Sequence, residues 1–120
     1  MKSRILLALV LALAPALRAA APAVEIEALL HYVATLDGAT FIRNGSAHTP
    51  AEAEAHLRLK WDRQKDQVVT AEDFIRLCAT QSSVSGQPYL IRFRDGREEE
   101  AAIVLTRRLA TLRHPPDKKS

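Results

Sequence analysis

Phe41-Ile42-Arg43-Asn44-Gly45-Ser46, followed at once by Thr49-Pro50-Ala51-Glu52, decides the fold class of this chain. Phe41 to Asn44 is a short extended run, and Gly45-Ser46 turns it. Thr49 then caps a helix, Pro50 fits the first helical position, where an amide proton has no partner to lose, and Glu52 completes a capping box. A strand that feeds directly into a capped helix predicts a mixed architecture.

Working back from this stretch, Ile26, Leu29, Leu30 and Val33 recur at three- and four-residue spacing, which predicts a helix over Glu25–Leu36. Asp37-Gly38 ends it, with Gly38 suited to a left-handed cap. Working forward, Ala53, Leu57 and Trp61 form the buried stripe of a helix that runs to about Lys65. Thr70-Ala71-Glu72-Asp73 is a second capped start, with Phe74, Ile75, Cys78 and Ala79 as the apolar face of a short helix. Gln81–Pro88 is a polar, serine-rich loop. Tyr89–Phe93 reads as a strand, and Asp95-Gly96 as a turn. Glu98–Arg113 reads as the last helix, with Ala102, Leu105, Leu109 and Leu112 inward. Its acids lie at the start and Arg107, Arg108 and Arg113 near the end, matching the helix dipole. The expected class is α+β, mainly helical. The order is α-β-α-α-β-α, with a small two-stranded antiparallel pair packed by helices.

The N-terminus has a different character. Lys2 and Arg4 precede an apolar run of about 13 residues, Ile5 to Leu17, and small residues follow. The run is shorter than the roughly 20 residues a bilayer span needs. Residues 1–23 therefore read as a cleaved secretory signal, with the cut before Val24 as first choice and a cut after Ala19 or Ala20 as the alternative. Residues 24–113 form a single globular domain and 114–120 a disordered polar tail. The expected localisation is the periplasm, without a membrane anchor after cleavage.

Removing Lys2, Arg4 and Arg18 from seventeen basic residues leaves fourteen, against fourteen acids. A near-neutral domain lacks the positive field that nucleic acid requires, so no nucleic-acid partner is expected. One cysteine, Cys78, provides neither a disulfide nor a metal cluster, and His31, His48, His56 and His114 show no ligand spacing. No metal and no cofactor are expected. Six Phe, Trp and Tyr residues argue against a large aromatic sugar platform.

Four blocks in order resemble a known family: Phe41-Ile42-Arg43-Asn44-Gly45-Ser46; Ala53-x-x-His56-Leu57-x-x-Lys60; Ala71-Glu72-Asp73-Phe74-Ile75; and Ser82-Ser83-x-Ser85-Gly86-x-Pro88-Tyr89. Together they look like the YfeK-like family of small exported proteobacterial proteins, a domain of unknown function. The resemblance covers Ile26 to about Arg113 and implies a Gram-negative periplasmic setting and no defined activity. Relatives often carry a cysteine just before the Phe-x-Arg-Asn-Gly block, where Ala39 and Thr40 stand here, and Trp-Leu where Val104-Leu105 stands.

Several residue groups carry possible chemistry. Ser82, Ser83 and Ser85 are the nucleophile candidates, with His56 or His48 as base. No Gly-x-Ser-x-Gly elbow is present, and serines in such loops commonly bond nearby backbone. Ser83, Ser85 and His56 are thus weak catalytic candidates. Arg43, Asn44, Ser46 and His48 lead into a helix N-terminus, whose free amides attract anions. Glu52, His56 and Lys60 lie four apart and share a helix face, where His56 can titrate near neutrality. Cys78 reads as a buried thiol. Trp61 and Tyr89 read as core, with the Tyr89 hydroxyl reaching a serine or Asn44.

The expected role is a non-enzymatic binding or interaction module that uses polar loops 43–48 and 82–86. The ligand-binding candidates are Arg43, Asn44, Ser46, His48, Ser82, Ser83, Gly86 and Tyr89, and the partner a small anionic ligand or an envelope protein. The alternatives are a small serine-dependent hydrolase and an accessory protein of a larger envelope complex.

Overall fold

The computed structural model describes residues 20–116. The apolar run read above as part of a secretory signal lies outside them, as does the end of the polar tail.

The elements are α1 (Pro22–Ala34), β1 (Thr40–Arg43), β2 (Ser46–His48), α2 (Pro50–Arg63), α3 (Ala71–Cys78), β3 (Leu90–Arg92), β4 (Glu98–Glu100) and α4 (Ala101–Arg113). The class is α+β, as the sequence predicts. The sheet is larger than the expected pair: four antiparallel strands in the order β2-β1-β3-β4. The two anticipated strands form its centre, with Phe41 opposite Ile91.

Each outer strand comes from a tight turn. Asn44 and Gly45 both have positive φ, 53° and 77°. That conformation matches the twist of a two-residue hairpin, so the chain returns as β2 with Arg43 opposite Ser46. On the other side, Asp95-Gly96 turns β3 into β4, and Arg92 pairs with Glu98. Glu98, Glu99 and Glu100 are therefore strand residues, not the first turn of the last helix. That helix starts at Ala101 and has no acid in its first turn, so the expected match of acids to its dipole does not occur. Pairing with β3 has overridden the helical preference of three glutamates.

The predicted capping box at Thr49 forms, and the second predicted cap, at Thr70, is a capping box as well. Thr49 Oγ1 accepts from the Glu52 amide at 3.1 Å while Glu52 Oε1 accepts from the Thr49 amide at 3.0 Å. Thr70 and Asp73 repeat the arrangement. The ends of α1 and α2 fall slightly earlier than expected, at Ala34 and Arg63.

Helix α1 is the centre of the core. Ile26, Leu29, Leu30 and Val33 are fully buried and meet Leu57, Phe74, Leu105 and Leu109 from the other helices. In α4, Ala101 and Val104 are buried with Leu105 and Leu109, while Ala102 and Leu112 sit at the margin. Trp61 packs edge-on against Phe74 with ring centroids 6.1 Å apart. Cys78 is buried as expected, and burial pushes its thiol pKa up, which keeps it protonated and unreactive. Glu25 is buried as well. It accepts two hydrogen bonds from Arg113, both at 2.8 Å. That guanidinium holds the Glu25 carboxyl below the usual range and also binds Glu72, so it joins α1, α3 and α4.

Candidate functional site

The loops 43–48 and 82–86 meet. The Ser85 hydroxyl donates to Asn44 Oδ1, across 41 positions of sequence. The loop serines are otherwise occupied with backbone. Ser82 Oγ accepts from the amides of Val84 and Ser85, and Ser85 Oγ accepts from the amide of Gln87. Gly86, with φ at 76°, closes the turn by donating its amide to the Ser82 carbonyl. Ser82 and Ser85 thus act as turn-forming groups, while Ser83 and Ser46 are exposed.

His56 does not meet the serines through any hydrogen bond among the described residues. It sits half-buried on α2 between Arg43 and Tyr89. Arg43 Nη1 lies 3.3 Å from Nδ1, and Tyr89 Oη lies 3.2 Å from Nε2. A guanidinium only donates, so Nδ1 must accept, and the neutral ring carries its proton on Nε2, directed at the tyrosine hydroxyl. Burial, with Arg43 and Lys60 next, pushes the His56 pKa down to about 4, which keeps the ring neutral at pH 7. Its one lone pair faces a cation, so none remains to take a proton from a serine. The geometry therefore does not suit His56 to the role of base in the hydrolase reading.

The Tyr89 hydroxyl reaches neither a serine nor Asn44. It is shared by His56 and Lys60, whose Nζ donates to it at 3.1 Å and to the Gln81 carbonyl at 3.3 Å. Lys60 is only 7% exposed. Both of its acceptors are neutral, and no carboxylate forms a salt bridge with it among the described residues. A buried ammonium carries a desolvation cost of several kcal/mol that neutral acceptors offset only in part. The predicted stripe of Glu52, His56 and Lys60 thus divides. His56 and Lys60 converge on Tyr89, while Glu52 turns to its cap and to His48 Nδ1 at 3.6 Å. His48 Nε2 is buried without a partner among the described residues.

Two spaces flank this network. Between the β1–β2 hairpin and α2, beside Arg43, His48 and His56, lies a cavity of about 40 Å³. That is space on the scale of a water molecule, far below the several hundred Å³ of a small-molecule site. On the other side, a groove of about 500 Å³ runs between α2, α3 and the serine loop, lined by Lys60, Gln64, Arg76, Thr80, Ser83 and Gly86 among others. The two loops meet as a scaffold, and the open space lies beside only the second of them. Gln64, Arg76 and Thr80 escape sequence reasoning because they come from different elements. The signal that was available is Lys60, four residues after His56 on the same face.

A family model described as a family of unknown function (DUF5329) matches residues 20–113. The uncharacterised protein YfeK of Salmonella typhimurium is 45% identical over 65 residues, 54% of this chain and 54% of that protein. The alignment therefore spans about half the length of that relative. No solved structure matches.

Proposed function

Since the chain belongs to the family of unknown function DUF5329, membership brings no activity with it, and we propose from the site that this is an exported, non-enzymatic module that binds a small anion in the groove beside Lys60. The observation that carries the reading is a lysine 7% exposed, lining an open groove and held by neutral acceptors alone. An ammonium in that state has a large part of its field uncompensated, and an anion entering the groove supplies the missing charge. The Ser83 hydroxyl and the Arg76 guanidinium lie in the same groove, and they add donors of the kind a carboxylate or phosphate requires.

Export to the periplasm is the second half of the proposal and rests on Lys2, Arg4, the Ile5–Leu17 run and the small residues after it. Helix α1 bears on the cleavage position. The Ala21 carbonyl accepts the amides of Val24 and Glu25. A cut after Ala19 or Ala20 preserves these bonds, whereas a cut before Val24 removes the first two residues of the helix. The earlier cut, the alternative in the sequence reading, suits the fold better.

The test is to express the full chain with its leader, recover the exported protein, determine its mass, and titrate it with acetate and with inorganic phosphate while following backbone amide resonances. Saturable shifts at Lys60, Ser83 and Gly86 that vanish in Lys60→Met are expected. Absence of saturable shifts with both anions, or shifts unchanged in Lys60→Met, overturns the reading.

A further inference from the structure

The groove beside Lys60 is not isolated. Arg76 and Thr80 also line a second groove of about 480 Å³, on the flank of α3 that faces α4. The character of the walls changes between the two. In the second groove Ile75, Leu109 and Ala110 supply an apolar surface, with Thr106 beside them. Of its charged groups, Arg113 binds both Glu72 and Glu25, and Arg76 binds Asp73. At the junction, the Asp73 carboxylate is committed to the Thr70 cap and to Arg76. The first groove therefore presents an ammonium without a counter-ion among the described residues, and the second an apolar trough whose charges are already paired.

We propose that the two grooves form one site for an anionic amphiphile. A carboxylate or phosphate monoester would lie against Lys60, and an aliphatic chain would pass Thr80 into the trough formed by Ile75, Leu109 and Ala110. The proposal rests on the reading of Lys60 as an anion site and extends it from a charge to a class of molecule. The separation of the two surfaces carries it. A simple inorganic anion would use the first groove and leave the second unexplained. A neutral apolar ligand would leave Lys60 uncompensated. A ligand with both parts matches both walls. Each volume falls within the several hundred Å³ of small-molecule sites, and the chain direction follows from which end holds the cation.

The experiment uses the exported protein from the full chain and titrates it with propanoate, hexanoate, decanoate below its micelle concentration, and decanol. Dissociation constants are read from amide shifts or calorimetry. Affinity is expected to rise along the acid series by up to about fourfold for each methylene that enters the trough. Decanol is expected to bind more weakly than decanoate, and Lys60→Met to remove that difference. Ala110 is exposed on α4, so Ala110→Glu is expected to keep the fold, verified by circular dichroism. It should abolish the chain-length dependence while leaving propanoate binding intact. Equal, Lys60-dependent affinities for propanoate and decanoate overturn the amphiphile inference and leave the anion site standing. Equal binding of decanoate and decanol, indifferent to Lys60→Met, overturns both. Protein that binds anionic vesicles but no soluble acid takes its head group from a membrane surface, and this too overturns the proposed passage of the chain into the trough.

Discussion

Replacing Lys60 by methionine should leave the domain as stable as before, or make it up to about 2 kcal/mol more stable. The magnitude follows from the surroundings of the ammonium. Two hydrogen bonds to neutral acceptors, at 3.1 and 3.3 Å, hold it, each contributing about 1.5 kcal/mol or somewhat more because one partner is charged. Against them stands an ion desolvation cost of several kcal/mol. Methionine keeps most of the aliphatic stem that packs beside Tyr89, so little contact is lost. Tyr89→Phe should do the opposite. It leaves the ring packed on His56 but strips an acceptor from a buried charge, at a cost of about 1.5–3 kcal/mol. In the Lys60→Met background the same tyrosine change should cost less than about 1 kcal/mol, because only the His56 bond is then lost. Urea unfolding followed by fluorescence measures all four proteins. Trp61 is the sole tryptophan and sits in the core against Phe74, so its signal reports global unfolding. A loss of more than about 1 kcal/mol in Lys60→Met would show that the lysine is part of the scaffold, and the argument for an uncompensated charge would fail.

Three further outcomes follow from the same geometry. The folded pKa of His56 lies at about 4 against an ordinary 6.5. The unfolded chain therefore binds the extra proton, and stability should fall as pH drops from about 6.5 to 4, by about 1–2 kcal/mol once solvent screening of this half-buried ring is allowed for; His56→Gln should flatten that part of the pH–stability curve. Arg113→Met should cost about 2–3 kcal/mol by leaving the buried Glu25 carboxylate unpaired, and the double variant Glu25→Gln/Arg113→Met should recover part of it in thermal melts. The Glu25 contribution should be present above pH 4.5 and disappear as pH falls below it, since its carboxyl is held down in the fold. Thr49→Ala and Thr70→Ala should each cost about 1 kcal/mol and combine additively in urea titrations, because the two caps belong to separate helices.

Much of the fold was legible because short-range chemistry dictates it. Thr49 with Glu52, and Thr70 with Asp73, announce helix starts through bonds made within four residues. The stripe Ile26, Leu29, Leu30, Val33 announces a buried helix by spacing alone. The outer strands were not legible for the opposite reason. Ser46-Ala47-His48 contains no β-branched or large apolar residue, and Glu98-Glu99-Glu100 consists of helix formers. Both are strands only because a neighbour pairs with them, and pairing is a tertiary effect. The site follows the same division. The serine loop and the Asn44 turn were visible as motifs, and their turn-forming roles follow from residue type. That Ser85 reaches Asn44, that Tyr89 lies between His56 and Lys60, and that Lys60 is buried without a carboxylate depend on contacts spanning 29 to 41 residues. No periodicity encodes such contacts.

Arg113 also sets a condition on when the domain can close. It is the final residue of the last helix, and its partner Glu25 lies 88 positions earlier, in the first. Until Arg113 is available, α1 holds a carboxylate that cannot enter the interior without large cost, so a growing chain keeps its leading helix loosely docked until the last helix is complete. Such a chain stays open to the machinery that handles unfolded polypeptides and locks late, with the arginine as the closing latch. Deletions that stop after residue 113 should then be tolerated, whereas a chain ending at residue 112 should fold poorly and fall to proteolysis.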